Sequence, residues 1–169
     1  MNKIAILGSS GTGKTTLCRM LSDKLHIKAL HLDSVYWLKD WDNISKEQFD
    51  QYMKNYLFKN NQWVIDGNYS NNKHFTYRLN LADTIIFLDF GTQLSLQGIH
   101  KRATEFKHQV RSDMAEGCKE GIDQIFLQYV AFYEKRANRL KAIINKYKTK
   151  KNVLVFKTRD ELYNWYNSL

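Results

Sequence analysis

The stretch Gly8-Ser9-Ser10-Gly11-Thr12-Gly13-Lys14-Thr15 constrains this chain more than any other feature. Its spacing is Gly, four residues, then Gly-Lys-Thr, the pattern of a phosphate-binding P-loop. The glycines let the backbone close into a concavity whose N–H groups face phosphate oxygens, and a helix starting near Gly13 adds the positive end of its dipole. Lys14 then reaches the β and γ phosphates of a nucleoside triphosphate, and the Thr15 hydroxyl becomes a Mg²⁺ ligand. Ser9, Ser10, Thr12 and Thr16 complete the candidate cradle. The flanks supply the context that the motif needs. Ile4-Ala5-Ile6-Leu7 is an unbroken apolar run suited to a strand buried on both faces. After the loop, Leu17, Met20, Leu21 and Leu25 recur at helical spacing.

The same alternation of strand and helix continues along the chain. The pattern predicts strands at 2–7, 29–32, 63–65, 84–88 and 152–156, and helices at 13–25, 46–60, 71–81, 92–106 and 122–147. Ser45 is an N-cap for the second of these helices, and Thr158 with Glu161 forms a capping box that opens a last one. Alternating elements with buried strands imply an α/β, three-layer P-loop NTPase fold: a five-stranded parallel sheet with helices on both faces and a small lid. Residues 1–169 read as one domain, with an acceptor-side insertion at about 34–61 and the lid at about 105–121. Gly117 and Gly121 punctuate that charged lid stretch, as a hinge requires. An ordinary surface loop is the alternative reading.

Ligands on such sheets sit beyond the carboxyl ends of the strands, and the predicted strands end at Asp33, Asp66 and Asp89. Asp66 follows Trp63-Val64-Ile65, where a carboxylate holds Mg²⁺ directly or through water. The alternative is an Asp-Gly turn that closes a strand. Asp33 is placed to orient an acceptor hydroxyl or take its proton, or else to cap a helix or turn. Asp89 has the same placement and reads as structural. Phosphoryl transfer further needs cations over the phosphates. Arg102, Arg111, Arg136 and Arg139 are the candidates, and the last two share a helix face. Tyr36, Trp37, Trp41 and Tyr52 fall in the insertion, either as core or as a stacking surface for a ring.

The net charge is +9, from 26 basic and 17 acidic residues, and ten Lys or Arg face one acid between Glu134 and Arg159. That run suits nucleic acid, nucleotide phosphates or a solvated helix face equally. No apolar run approaches the ~20 residues of a membrane span. The chain opens on a predicted strand rather than a signal peptide, so a cytoplasmic protein with no membrane partner is expected. Cys18 and Cys118 are too few for a disulfide framework.

Five segments occur in an order that resembles a known family: the P-loop, His31-Leu32-Asp33 with Trp37, Trp63-Val64-Ile65-Asp66-Gly67-Asn68-Tyr69, Ile86-Phe87-Leu88-Asp89, and Arg111-Ser112-Asp113-Met114-Ala115-Glu116-Gly117-Cys118. Together they resemble the DNA topology modulation protein (FlaR-related) family, within the adenylate-kinase-like P-loop kinases. The resemblance covers nearly the whole chain, and the Ile-Asp-Gly-Asn-Tyr and Asp-Met-x-Glu-Gly-Cys segments are its specific part. It implies nucleotide bound at the carboxyl edge of the sheet, with Gly8, Gly11, Gly13, Lys14, Thr15 and Thr16 carrying the phosphates. It also implies that Arg102 opens the lid and that Arg139-Leu140 lies on the helix after it. Asp66-Gly67 resembles the Asp-Gly of nucleoside monophosphate kinases. The Phe-Pro-Arg that follows there is replaced by Asn68-Tyr69-Ser70, which removes an acceptor-phosphate arginine.

The reading that follows is an ATP- and Mg²⁺-dependent kinase that transfers the γ-phosphoryl group to a small molecule, a nucleoside or nucleotide among the candidates. Lys14, Asp33, Arg102, Arg136 and Arg139 are its expected catalytic residues, and Thr15 and Asp66 its expected metal ligands. The competing reading is a nucleic-acid-associated P-loop NTPase or regulator that affects DNA topology. It rests on the basic run and is not favoured, because no DNA-reading motif accompanies that run.

Overall fold

The computed structural model describes residues 1–121 and 123–169. Five short apolar runs become strands β1 (Lys3–Gly8), β2 (Ala29–His31), β3 (Trp63–Asp66), β4 (Thr84–Leu88) and β5 (Asn152–Phe156). They form one sheet in the order β2-β3-β1-β4-β5, and every pairing is parallel. The helices are α1 (Lys14–Leu25), α2 (Leu32–Tyr36), α3 (Lys46–Lys59), α4 (Lys73–Leu81), α5 (Gly91–Glu105), α6 (Gln124–Ala131), α7 (Tyr133–Asn145) and α8 (Arg159–Asn167).

Side chains alternate across a strand, so each central strand feeds two cores. Ala5 and Leu7 of β1 face Phe49, Met53, Phe75, Leu79, Ala137 and Leu140, which come from α3, α4 and α7. Ile4 and Ile6 face Leu17, Cys18 and Leu21 of α1 and Leu162 of α8. The result is the expected three-layer P-loop fold, with its sheet covered on both faces. Both predicted caps are present as full capping boxes, Ser45 with Gln48 and Thr158 with Glu161.

Three expectations need correction. The second strand stops at His31, because Leu32 turns into the core as the first residue of α2. Asp33 therefore sits in the first turn of a short helix. The helix predicted over 122–147 begins at Ile122, outside the described residues, and the remainder is two helices. The chain bends at Phe132, which is 68% exposed, and the bend lets Tyr133 enter the core while Ile125 stays on the surface. The helix predicted over 71–81 starts later, at Lys73, because Asp50 of α3 caps it by accepting from the Lys73 and His74 N–H groups.

The loop after β1 packs against the middle of α5 at a contact that only glycine allows. A Cβ on Gly98 would stand 2.0 Å from the Gly11 carbonyl oxygen, and a Cβ on Gly11 would stand 2.0 Å from the Ser95 carbonyl oxygen. A glycine inside a helix costs about 1 kcal/mol relative to alanine. Here that cost secures the close approach of two backbones.

Candidate active site

Beyond the carboxyl ends of the strands lies a cavity of about 470 Å³, lined by residues of the P-loop together with Asp33, Asp66, Arg102 and Arg111. Ser10, Gly11, Thr12, Gly13, Lys14, Thr15 and Thr16 all contribute to its wall. Gly8 and Ser9 do not line it. Ser9 is buried, and its carbonyl accepts hydrogen bonds from Thr12 Oγ1 at 2.8 Å and Lys14 Nζ at 2.7 Å. The lysine is thus folded back over its own loop. Burial pulls its pKa below the ordinary lysine range, and the negative charges of Asp66 and Asp33 oppose that shift.

Parallel pairing sets His31 of β2 beside Asp66 of β3, and His31 Nδ1 lies 3.0 Å from Asp66 Oδ1. Asp66 is only 4% exposed. Cys18, His31 and Asp66 offer ligand atoms that all lie within 4.8 Å of one another. Burial, then the negative charge of Asp66, pushes the Cys18 thiol far up, so it keeps its proton, and its Sγ donates to the Val64 carbonyl at 3.4 Å. A hard cation is better served by oxygen donors. Asp66 at the base of the cavity and the Thr15 hydroxyl at the start of α1 are of that kind, so the residues present fit Mg²⁺. Asp33 is exposed on the cavity wall, and its Oδ1 accepts from Tyr69 Oη at 2.7 Å.

The basic residues divide sharply. Arg102 Nε and Arg111 Nε donate to the two oxygens of Glu120 at 3.1 and 2.6 Å. Asp113 accepts from Arg111 Nη1 and, at 2.9 Å, from Arg19 Nη2 on α1. Glu120, Asp113 and Arg111 are largely shielded from water, while Arg102 and Arg19 keep part of their surface in solvent. Burial lowers the Arg102 pKa from its ordinary value, and Glu120 opposes the shift. By contrast, Arg136 and Arg139 are absent from the cavity wall. The Arg136 guanidinium lies 3.6 Å over the Tyr129 ring and donates to the Tyr129 carbonyl, and Arg139 is exposed on α7. Asp89 is also away from the wall, paired with Lys141 at 2.7 Å.

The 105–121 segment reaches across to the 34–61 insertion. Lys107 bridges Glu120 and Val110 bridges Lys119, which ties the segment to itself. At its tip, Cys118 Sγ donates to the Leu38 carbonyl at 3.2 Å and accepts from the Trp41 N–H at 3.4 Å. The Asp40 N–H donates to the Glu116 carbonyl at 3.2 Å. Gly117 permits this contact, because a Cβ there would stand 2.1 Å from Asp40 Oδ1. Beneath the tip, Tyr36 packs edge-on to Trp37, and Trp37 to Trp41. Trp41 keeps 44% exposure.

Sequence reading gave no role to Arg78, Gly98 and Glu120, and it singled out Asp113 only within the family-like segment, without its arginine partners. Gly98 carried a signal, a lone glycine inside a helical pattern. Glu120 carried none beyond charge, because Arg102 and Arg111 lie 18 and 9 residues away in the chain.

No family model matches this chain. The uncharacterized protein YqaC of Bacillus subtilis (strain 168) is 28% identical over 138 residues, 78% of this chain and 72% of that protein. A shikimate kinase from Acinetobacter baumannii, solved in complex with shikimate, aligns at 18% identity with a TM-score of 0.47, over 86% of this chain and 94% of that one. The fold described above rests on the strand order and the P-loop themselves. No helix among the described residues is long and apolar enough to cross a membrane.

Proposed function

We propose that this protein is an ATP- and Mg²⁺-dependent kinase that moves the γ-phosphoryl group onto a hydroxyl of a small molecule. The convergence of Lys14, Asp33, Asp66, Arg102 and Arg111 on one cavity carries this reading. Lys14 and the P-loop hold the phosphates. Thr15 and Asp66 would hold Mg²⁺, which would supply charge neutralisation on the phosphates. Asp33 orients the acceptor hydroxyl and accepts its proton as the new P–O bond forms and the bond to ADP breaks. Arg102 and Arg111, already aimed by Glu120, neutralise the transferring group. The 105–121 segment acts as the lid, and its contact with the insertion excludes water. Arg136 and Arg139 have no part in this scheme, because their side chains are engaged or exposed elsewhere.

The resemblance to the FlaR-related proteins and to adenylate-kinase-like enzymes supports the same reading and leaves nucleosides and nucleotides as candidate acceptors. The nucleic-acid reading is weakened by the tasks its basic residues already have. Lys141 pairs with Asp89, and Lys151 donates to the Asn80 and Ala82 carbonyls at 2.8 and 2.6 Å.

Phosphorus NMR of ATP, Mg²⁺ and protein against nucleosides, nucleotides and small alcohols tests the proposal. A new phosphomonoester signal, lost by at least ~10²-fold in Lys14→Ala with the fold retained, is the expected result. Transfer undiminished in that variant would overturn it. Hydrolysis alone, stimulated by DNA, would favour the other reading.

A further inference from the structure

The kinase scheme leaves the Gly67-Asn68-Tyr69 segment without a task. Arg78 of α4 is fully buried beneath it, and its Nη2 donates to the Gly67 carbonyl at 2.8 Å and the Asn68 carbonyl at 3.0 Å. Its Nε and Nη1 have no partner among the described residues. Burial draws its pKa down to about 10, against the attraction of Asp66 and Tyr69. Leaving such donors unsatisfied is costly, so the arginine is an expensive anchor for two backbone carbonyls.

The two residues it anchors then part. The Asn68 amide turns toward β1. Its Oδ1 accepts from the Gly8 N–H at 3.0 Å, and its Nδ2 donates to the Gly8 carbonyl at 2.8 Å. That side chain pairs with the first glycine of the P-loop as a neighbouring strand would. Tyr69 turns the other way. Its φ is +45°, a left-handed conformation rare for an aromatic residue and a mark of a backbone held for a purpose. The ring packs between Tyr36 and Phe49, with centroids 5.0 and 4.9 Å away, and the hydroxyl donates to Asp33.

We propose that Asn68 and Tyr69 are paired positioning residues, anchored by Arg78, that fix the P-loop and Asp33 at the separation in-line transfer requires. This rests on the kinase reading, with Asp33 as the acceptor carboxylate. Tyr69 occupies Oδ1 and leaves Oδ2 for the acceptor hydroxyl. Reacting atoms must lie about 3–3.5 Å apart, and a misplacement of about 1 Å costs on the order of 10²-fold in rate.

The two residues should fail differently. Tyr69→Phe keeps the ring and loses the hydrogen bond. It should lower kcat by about 10-fold or more, while the equilibrium Kd for a fluorescent ATP analogue changes less than about 2-fold. Asn68→Ala should raise that Kd by about 10-fold, because the loop loses two hydrogen bonds. Asn68→Asp, which keeps only the acceptor for Gly8 N–H, serves if the alanine variant fails to fold. The double variant Asp33→Asn/Tyr69→Phe should be no slower than Asp33→Asn alone. A purely structural brace would lower Tm without the kcat-against-Kd split, and that result overturns the proposal. So would additive losses in the double variant. If no acceptor is ever phosphorylated, the kinase reading fails, and an unchanged ATP-analogue Kd in the Asn68 variant would overturn the donor half of this proposal separately.

Discussion

The P-loop, proposed to hold the phosphate donor, and the region around Asp33, proposed to receive the acceptor, are built in opposite ways. The cradle is one contiguous stretch between β1 and α1, and Thr12 and Lys14 fold back onto the carbonyl of Ser9 a few residues away. The surroundings of Asp33, the proposed acceptor carboxylate, are assembled from afar. Asp33 comes from α2 and its partner Tyr69 from the turn after β3, while the 105–121 segment meets the insertion where Cys118 bonds Leu38 and Trp41. A short backbone-led site can be rebuilt from local sequence. A site made of distant side chains depends on every buried pair that holds its segments in register.

That contrast can be broken by experiment. The largest effect is expected for Asp33→Asn, which should cost about 10²–10⁴-fold in transfer while leaving ATP binding intact. Parallel measurement of turnover and of ATP affinity checks it, and an equal loss in both would mean the halves are not separable. Gly98→Ala attacks the cradle from outside. Its Cβ has no room against Gly11, so a loss of about 1–3 kcal/mol in stability is expected, with weaker ATP binding, read by chemical denaturation and calorimetry. Glu120→Gln removes the charge that aims Arg102 and Arg111 and should cost about 1–2 kcal/mol, discounted because Arg102 is partly exposed. Its kcat should fall more than its stability suggests.

Acid should separate the halves more gently. Burial, then the positive charge of Arg78, pulls the His74 pKa from 6.5 to about 4, although its Nδ1 lies 2.8 Å from Asp50. The unfolded chain therefore takes up this proton first. Stability from His74 is complete above pH 6.5 and is lost as pH falls toward 4, by something on the order of 1 kcal/mol. The loss should appear in hydrogen exchange of α3 and α4 before α1, and His74→Asn should flatten it.

The same contrast explains what could be read in advance. All five strands were legible, because each is a short apolar run that must be buried on both faces. The place of Asp66 was legible, because it closes such a run at the end of β3. The bend at Phe132 was not, because the apolar pattern passes through it without glycine or proline. Arg78 was hidden in an ordinary amphipathic helix, and only the approach of Gly67 and Asn68 gives it a role. Arg136 and Arg139 looked apt by helical spacing, yet spacing fixes a shared face and not what that face meets.

The two cysteines give the molecule a clock. Cys118 is buried where the 105–121 segment meets Leu38 and Trp41, whereas Cys18 lies between α1 and the sheet. A small thiol reagent should therefore label them at two rates, one counting openings of the roof and the other counting disruptions of the core. Any compound that lengthens the first interval without touching the second has been caught inside.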